Sequence, residues 1–371
     1  MAEIQGSLWT VLLLSALPGA GNFAGEGALR GRPAEGTGEM GSTMAWEGRA
    51  EDFELRRIAV IGAGPMGASL AALTSPHVPT VLVVRDPMRA KQVEAAGIEL
   101  GGALRARGRP AVVSSIDALA GIHPIDLVFV ATKTTALAAV CDALRPHREE
   151  LPYLVSYQNG LEAGRTLIRM LGTPRVVRMV LRYGAEIEAA GEEGGPLRVR
   201  VGLHEPPHFV GGEGEAREYA RRLAPRLDAM GLPLRFAEDI EGEAWRKGIE
   251  NAAGNPVAAL ARAPLGELLA SPGRNLIERL LDEGMAVARA AGIAVEPGFR
   301  EHALRRMRGG AGHLPSMAQD LLAGRPTEIA QLNEQIARRG RELGVPTPTH
   351  DAVLDLIRVF DWRAARRRAD P

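Results

Sequence analysis

Two different hydrophobic patterns divide the chain. Over residues 57–238, short apolar runs of strand length alternate with helical stretches that carry apolar side chains. Over residues 239–365 the strand-like runs disappear, and apolar positions recur at the spacing of an α-helix. The two patterns predict an α/β domain built on a mostly parallel sheet, followed by an all-helical domain.

Residues 1–56 fit neither pattern. Leu8–Leu17 is apolar, but its ten residues are too few to span a bilayer. No Lys or Arg precedes this run, which argues against a secretion signal, and the Gly-rich stretch after it shows no hydrophobic periodicity. We interpret residues 1–56 as a disordered or spurious extension, with Met40 and Met44 as alternative starts of the protein and a secretion signal as the less favoured alternative.

A glycine-rich turn joins the first apolar run, Ile58–Ile61, to the first helical stretch. Its residues are Gly62, Ala63, Gly64, Pro65, Met66 and Gly67. The first glycine permits a tight turn, the second lets the backbone approach a pyrophosphate, and the third lets the helix pack close to the strand. The N-terminus of the helix then faces the phosphates. Strand, glycines and helix in direct succession predict a dinucleotide-binding site.

The second strand indicates which dinucleotide binds. Thr80–Val84 ends at Arg85, whereas a site that prefers NAD usually carries an acidic residue that bonds the ribose hydroxyls. The Arg85 guanidinium suits the 2′-phosphate of NADP through charge-assisted, forked hydrogen bonds. Asp86 follows directly, so a shift of one residue would favour NAD. We predict NADP(H) as the cofactor.

Two further strands end in loops that carry polar side chains. Asp126–Ala131 is followed by Lys133, and Leu154–Tyr157 is followed by Asn159. Open α/β sheets bind their ligands at the carboxyl ends of parallel strands. We therefore predict that Lys133 meets a phosphate or the adenosine edge of the cofactor. Asn159 is predicted to meet the substrate or the nicotinamide ribose.

The pattern changes after residue 175. Val176–Leu181, Leu197–Val201 and Phe209–Val210 are short β-like runs separated by Gly-rich turns. This spacing predicts an antiparallel extension of the sheet.

The most distinctive segment is Glu243–Pro256. It places Lys247, Asn251 and Asn255 four residues apart, so that all three fall on one side of a helix. Small apolar residues around them predict a helix that is largely buried, where an ammonium and two amides are costly unless a polar ligand faces them. The spacing alone leaves two interpretations open, a solvated helix face and a reactive pocket.

The rest of the second half is predicted to be helical. Ser316 is positioned as an N-cap, and Thr327 with Glu328 reads as an ordinary helix start. The predicted helices are Leu276–Ala291, Phe299–Met307, Ile329–Leu343 and Val353–Phe360.

Composition narrows the classes of function. Lys plus Arg and Asp plus Glu both number 45, so no overall field attracts nucleic acid or an anionic membrane. The basic run Arg363–Arg368 is interpreted as a solvated tail. The single cysteine, Cys141, excludes an internal disulfide and a cysteine metal site, and it fits a reducing cytoplasm.

Taken together, these segments resemble the ketopantoate reductase (2-dehydropantoate 2-reductase) family. The resemblance spans about residues 57–360 and keeps the order of the family's motifs. It rests on GAGPMG, Arg85, ATKTT, QNG, WRKGIENAAGNP and PSMAQDLLAGRPTEIAQLN. The fold that it implies is a Rossmann-type dinucleotide-binding domain followed by a helical catalytic domain.

The resemblance also implies roles for the polar side chains. Lys247 takes the place of the family's proton donor, and Asn251 and Asn255 take the places of substrate-binding amides. Ser316 takes the place of the serine that binds the substrate carboxylate. Glu328 contacts a substrate hydroxyl, supports catalysis and is expected to keep Lys247 charged.

The implied ligands are a small 2-oxo acid and NADP(H), with neither nucleic acid nor membrane as a partner. Asn159 is expected to bind the substrate as well as the cofactor. The analogy also favours a homodimer formed through the helical domain. The expected cofactor contacts are Gly62, Gly64, Pro65, Met66, Gly67, Arg85, Lys133, Asn159 and Glu328.

Some positions depart from the family pattern. Ala136 replaces a frequent glutamine, and Met179–Arg182 replaces a segment that is usually small and polar. These changes put the substrate in question more than the reaction. Two alternatives to ketopantoate reduction therefore stay open, namely reduction of another 2-oxo acid and a sensor that binds NADPH without turnover.

Overall fold

The computed structural model describes residues 53–188, 194–310, 312 and 314–369. Most of the predicted extension, residues 1–52, lies outside these ranges. The described chain begins before Arg57, where the sequence predicted order to start. The Phe53 ring is buried edge-on against Tyr219 at 5.0 Å between centroids. The backbone N–H of Arg56 donates to Asp126 Oδ2 at 2.6 Å.

Eight strands form the main sheet, in the order β12-β11-β8-β7-β6-β1-β2-β5. Neighbouring strands run parallel except for β8 and β11. β1, β2 and β6 are buried along their whole length, which explains their continuous apolar runs. The strands are β1 (Ile58–Ile61), β2 (Thr80–Val83), β3 (Ile98–Gly102), β4 (Ala106–Gly108), β5 (Ala111–Val113), β6 (Leu127–Val130), β7 (Tyr153–Ser156), β8 (Val176–Val180), β9 (Tyr183–Ile187), β10 (Leu197–His204), β11 (His208–Gly211) and β12 (Leu234–Phe236).

The predicted antiparallel extension is only partly correct. β8 pairs parallel with β7, and β11 alone of the three predicted strands continues the main sheet in antiparallel fashion. β10 belongs to a second sheet of four strands, ordered β4-β3-β10-β9. Its partner β3 is parallel to it, with Leu197 opposite Ile98. The sequence analysis missed this sheet because its pairing joins segments that lie far apart in the chain.

Twelve α-helices complete the described chain. α1 to α5 accompany the sheets, and the remaining helices form a second half with its own apolar core. The structure confirms the predicted α/β half followed by a helical half. The helices are α1 (Pro65–Thr74), α2 (Pro87–Ala96), α3 (Leu137–Leu144), α4 (Ala163–Leu171), α5 (Glu215–Ala229), α6 (Ile240–Ala261), α7 (Leu265–Leu269), α8 (Gly273–Ala290), α9 (Phe299–Gly309), α10 (Ser316–Leu322), α11 (Asn333–Leu343) and α12 (Pro348–Ala369).

α6 connects the two halves of the molecule. The Asp239 side chain caps its first turn by accepting from the Gly242 N–H at 2.8 Å. Near its middle, a Cβ on Gly248 would lie 2.2 Å from Leu161 Cδ2. The missing side chain therefore lets the helix lie directly against the loop that follows β7.

Two helices differ from their predicted extents. The predicted helix Ile329–Leu343 is broken, because a 3₁₀ turn over Ile329–Gln331 precedes α11. The buried Asn333 at the break donates through Nδ2 to the Ala252 carbonyl at 2.8 Å. The basic run Arg363–Arg368 is helical rather than a tail, because α12 continues through it.

In the part of the chain that the structure describes, no helix is both long enough and apolar enough to span a membrane.

Candidate active site

Lys247 meets Asn159 across the junction of the two halves. Its Nζ donates to Asn159 Oδ1 at 2.6 Å. Lys247 lies on α6 and Asn159 lies in the loop after β7. The contact therefore joins the helical half to the carboxyl ends of the strands of the main sheet. The helix-face interpretation with a freely solvated lysine is therefore excluded.

The surroundings of Lys247 shift its acidity. The pKa of Lys247 is lowered to about 7, mainly by burial, because an ammonium is poorly solvated there. The Arg182 cation contributes to this lowering, while the Glu328 carboxylate acts in the opposite direction. Glu328 thus favours the charged lysine, in the expected direction, but offsets only part of the effect of burial. A pKa near neutrality suits a general acid.

Arg178 holds the loop that carries Asn159. It lies on β8 and is buried, with Nη2 donating to the Gly160 carbonyl at 2.5 Å and Nη1 to the Leu161 carbonyl at 2.7 Å. Glu241 on α6 balances the charge at 3.0 Å. The sequence analysis overlooked Arg178, and its one signal was a charged residue inside a buried strand.

Two adjoining cavities are lined by the predicted catalytic and substrate-binding residues. One is lined by Asn159, Asn251, Asn255, Ser316 and Glu328 among others. The second is lined by Lys247, Asn159 and Asn251 together with Met179 and Val180. The fold therefore brings together the six side chains that the sequence analysis selected for catalysis and substrate binding.

Ser316 differs from its predicted local role. It is the exposed first residue of α10, Pro315 occupies the cap position, and no side chain caps this helix. The predicted N-cap is wrong because the preceding proline already sets the helix entry. Ser316 instead lines the cavity.

Glu328 bonds the other half of the molecule. Its Oε1 accepts from the Thr134 backbone N–H at 3.0 Å and from the Thr134 hydroxyl at 2.6 Å. Thr134 lies in the loop after β6, so Glu328 connects that loop to the helical half. Both bonds use one carboxylate oxygen.

Lys133 is paired rather than free. Its Nζ donates to Asp320 Oδ1 at 2.5 Å, and its side chain remains 45% exposed. The same Asp320 oxygen accepts from Arg325 Nε at 2.9 Å. Lys133 therefore lies at the predicted edge of the sheet, next to a carboxylate that the sequence analysis did not select.

The glycine turn has the shape that a pyrophosphate requires. Gly62 has φ of +110°, and a Cβ on Gly67 would lie 1.9 Å from the Gly62 carbonyl oxygen. A Cβ on Gly64 would meet nothing within 4 Å, so it would project into the open space before α1. Gly64 caps α1 without a side-chain bond, which leaves the first N–H groups of the helix free for an anion. These residues fit a dinucleotide.

Arg85 and Asp86, at the end of β2, are the two candidates for ribose recognition, and their surroundings differ. Asp86 caps α2 by accepting from the N–H groups of Met88 at 3.0 Å and Arg89 at 3.4 Å. Its carboxylate is thus already bonded within its own chain segment. Arg85 is exposed at the strand end. Arg89, which the sequence analysis did not select, donates to the Ala63 carbonyl at 3.1 Å.

Within the described ranges, no group of three or more His, Cys, Asp or Glu side chains is placed to hold a metal ion.

Comparisons with known proteins agree on one family. Residues 58–201 match the profile described as "Ketopantoate reductase PanE/ApbA", and residues 239–361 match "Ketopantoate reductase PanE/ApbA C terminal". A Caulobacter vibrioides protein named 2-dehydropantoate 2-reductase is 33% identical over 307 residues, which cover 81% of this chain and 97% of that protein.

Solved structures show the same fold. A PanE/ApbA family ketopantoate reductase from Ralstonia eutropha has a TM-score of 0.73 and 26% identity, and the match covers 83% of this chain and 99% of that one. A D-mandelate dehydrogenase solved with NADH and anilino(oxo)acetate has a TM-score of 0.70 over 83% of this chain and 99% of its own. At 19% identity, the dehydrogenase shows the fold alone.

The glycine turn predicts two substitutions with different outcomes. Gly67→Ala forces a methyl group into the Gly62 carbonyl, so we expect it to destabilise the fold by about 1–3 kcal/mol. Gly64→Ala has room for its methyl group in the free protein, so its melting temperature should stay unchanged. Its methyl group should nevertheless weaken dinucleotide binding by more than about tenfold, because it occupies the pyrophosphate space. Thermal melts and fluorescence titrations with NADPH measure both effects. Normal NADPH affinity in Gly64→Ala would contradict the assignment.

Proposed function

The chain belongs to the ketopantoate reductase family, and on that premise we propose that it reduces 2-dehydropantoate to pantoate with NADPH. This reaction is a step of pantothenate biosynthesis. The observation that carries the proposal is the Lys247–Asn159 bond at the wall of a cavity whose other polar residues include Asn251, Asn255 and Ser316. A reductase of this kind needs a proton donor beside the carbonyl oxygen, and this arrangement supplies one.

The protein's part in the reaction is proton delivery and charge stabilisation. When bound, the nicotinamide supplies a hydride to the keto carbon of the substrate. Lys247 gives its proton to the carbonyl oxygen, and the ammonium stabilises the negative charge that develops there. The bond to Asn159 fixes the direction of Nζ. Lys247 is left neutral, and a proton from solvent restores it for the next turnover.

The remaining side chains orient the substrate. We assign the substrate carboxylate to Ser316 and the amide contacts to Asn251 and Asn255, which line the same cavity. Glu328 uses Oε1 for Thr134, so Oε2 is available to accept from the substrate hydroxyl. Neutral amides beside the lysine orient the ligand without competing for its proton.

The choice of NADP over NAD rests on Arg85. Because Asp86 is engaged as a helix cap, the exposed guanidinium is the better placed group for the ribose. We assign Lys133 to a cofactor phosphate or to the adenosine edge of the cofactor. Its ammonium is held in place by the ion pair with Asp320. The cytoplasm and a homodimer belong to the same proposal, the first from the single buried cysteine, Cys141, and the second from analogy.

A second candidate is supported by the cavity wall. Met179 and Val180 line the space beside Lys247, where the family usually has small polar residues. Their apolar side chains favour a 2-oxo acid with an apolar substituent. A non-catalytic sensor is disfavoured, since it would not need an ammonium and two asparagines around one cavity.

A substrate panel tests the proposed reaction. Purified protein is assayed for oxidation of NADPH with 2-dehydropantoate and with 2-oxo acids that carry apolar substituents. We expect the highest kcat/KM for 2-dehydropantoate. A higher kcat/KM for a 2-oxo acid with an apolar substituent would identify that acid, rather than 2-dehydropantoate, as the preferred substrate. Binding of NADPH without oxidation in the presence of every acid tested would favour the sensor.

Replacing Lys247 tests its role as proton donor. Lys247→Met should lower kcat by about 10²- to 10⁴-fold, which is the usual contribution of general acid catalysis. Lys91→Met removes an exposed lysine from α2 and serves as the matched control, with kcat unchanged. Single-turnover kinetics measure the chemical step directly. A decrease in kcat of less than about threefold would contradict the assignment of Lys247 as the proton donor.

The lowered pKa of Lys247 predicts the pH dependence. Reduction requires the ammonium, whose fraction falls as the pH rises through about 7. We therefore expect kcat/KM for reduction to be level below that pH and to fall about tenfold per pH unit above it. Asn159→Asp should move the decline to higher pH, because a carboxylate at 2.6 Å would favour the charged lysine. A profile that stays flat to pH 9 would exclude Lys247 as the acid.

Arg85 predicts the choice of cofactor. Arg85→Ala should raise the KM for NADPH by about 10- to 100-fold, because charge-assisted hydrogen bonds to the 2′-phosphate are lost. The KM for NADH should stay the same. Arg107→Ala removes another exposed arginine of the same half and is the control. Equal losses with both cofactors would show that Arg85 does not read the 2′-phosphate.

A further inference from the structure

The segment that leads to Glu328 has no regular secondary structure. It connects α10, which ends at Leu322, to the 3₁₀ turn over Ile329–Gln331. Helix and sheet bonds therefore do not fix the backbone on the N-terminal side of Glu328. Other hydrogen bonds have to hold this backbone if the Glu328 side chain is to keep its place in the candidate site.

The beginning of this segment is held by α10. The backbone N–H of Arg325 donates to the Asp320 carbonyl at 2.8 Å, and Arg325 Nε donates to Asp320 Oδ1 at 2.9 Å. Pro326 follows, with a fixed φ angle but without an N–H to donate. The contacts with α10 thus hold the chain three residues before Glu328.

Asp361 on α12 holds the residue next to Glu328. Its Oδ1 accepts from the Thr327 backbone N–H at 3.0 Å, and its Oδ2 accepts from the Thr327 hydroxyl at 2.7 Å. Thr327 is only 4% exposed, so its donors depend on a partner within the protein. Both oxygens of one carboxylate therefore bind one residue and fix its backbone and its side chain together.

Glu328 is thereby held from two directions. Thr134 bonds its carboxylate from the loop after β6, whereas Asp361 holds its backbone through Thr327. α12 also packs against the 3₁₀ turn that follows Glu328, so Asp361 acts from a neighbouring helix. The two sets of bonds place Glu328 at the cavity wall that Ser316 shares.

We propose that Asp361 is a positioning residue, which holds Glu328 in the candidate active site through its two hydrogen bonds to Thr327. The inference rests on the proposed function, in which Glu328 binds the substrate hydroxyl and acts on the charge of Lys247. Asp361 lines neither of the two cavities and follows the last of the family's motifs, so neither pattern assigns it a role.

Kinetics of Asp361 variants test this role. Asp361→Ala releases Thr327, so we expect kcat/KM to fall by about 10- to 100-fold, as for other small displacements of a group at a reaction centre. Asp361→Asn keeps a carbonyl oxygen for the N–H and gains an amide donor for the hydroxyl oxygen. It should therefore stay within about threefold of wild type. Asp355→Ala removes an 81% exposed carboxylate from the same helix and is the matched control, with kcat/KM unchanged.

A double variant shows whether Asp361 acts through Glu328. Glu328→Ala removes the side chain that is positioned, so adding Asp361→Ala should lower kcat/KM by at most about twofold more. Losses that multiply in the double variant would mean that Asp361 affects the reaction by another route. That result would overturn the proposal.

The charge of Lys247 provides a readout that a purely structural residue would not change. Arg182 and Arg178 lower the pKa of Lys247, whereas Glu328 acts in the opposite direction. His208 on β11 also interacts with Lys247, but its own pKa is lowered to about 3, so it is neutral near pH 7. Glu328 is therefore the group among these four that favours the ammonium.

The pH profile follows from this balance. If Asp361→Ala lets Glu328 move away, the pKa of Lys247 falls, and the decline of kcat/KM for reduction moves to lower pH. Glu328→Ala should show the same shift. Asp361→Asn loses the same charge as Asp361→Ala but keeps the bonds, so it should retain the wild-type profile. Equal profiles for Asp361→Asn and Asp361→Ala would overturn the proposal, because the charge rather than the bonds would then matter.

Amide hydrogen exchange tests the contact without the reaction. In the protein without ligands, exchange over residues 323–329 should be about tenfold faster or more in Asp361→Ala and unchanged in Asp361→Asn. Unchanged exchange in Asp361→Ala would overturn this proposal and leave the proposed function standing. A wild-type protein that reduces no 2-oxo acid would overturn the proposed function and, with it, the role of Asp361 in catalysis, even where the exchange responds.

Discussion

A lysine ammonium held between the two halves of the molecule is the constraint on which the site depends. Removing a charge from water is costly, and a single amide oxygen compensates only part of that cost. The pKa of Lys247 is therefore lowered to about 7, so that its ammonium can give up a proton near neutral pH. The position of α6 makes this possible, because Gly248 lets the helix lie against the loop that bears Asn159. Arg178 then fixes that loop from the side of the sheet.

The same junction joins residues proposed to bind the cofactor to residues proposed to bind the substrate. The loop after β6 contacts the helical half twice, through Lys133 with Asp320 and through Thr134 with Glu328. Asp320 lies one helical turn after Ser316, so the partner of Lys133 and the residue proposed for the substrate carboxylate share α10. The contacts between these groups show that the candidate site needs residues from both halves.

Features set by local spacing could be predicted from the sequence. The glycine turn between β1 and α1 and the row of Lys247, Asn251 and Asn255 depend on neighbours in the chain. Contacts between distant segments could not be predicted. Arg178 bonds Glu241, 63 residues away in the chain, and Lys133 bonds Asp320, 187 residues away. Neither pair can be recognised from the hydrophobic pattern of the sequence.

The missed second sheet and the broken helix have the same physical origin. β10 pairs with β3 across nearly a hundred residues, and the sequence predicted the strand over Leu197–Val201 but not the partner with which it pairs. At Asn333, a helical pattern continues in the sequence, but the buried amide bonds the Ala252 carbonyl and His350 Nδ1 instead of extending the helix toward Ile329. In both places a long-range contact overrides the local preference.

Chemistry and substrate choice lie on different elements of this fold. The groups assigned to proton transfer and carboxylate binding are on α6, on α10 and in the segment before α11. Met179 and Val180, where the sequence analysis expected a departure from the family pattern, are on β8 and line the cavity beside Lys247. A substitution on β8 can therefore reshape this cavity while the Lys247–Asn159 bond stays intact. The residues proposed for proton transfer and the residues that shape the cavity wall thus lie on separate elements.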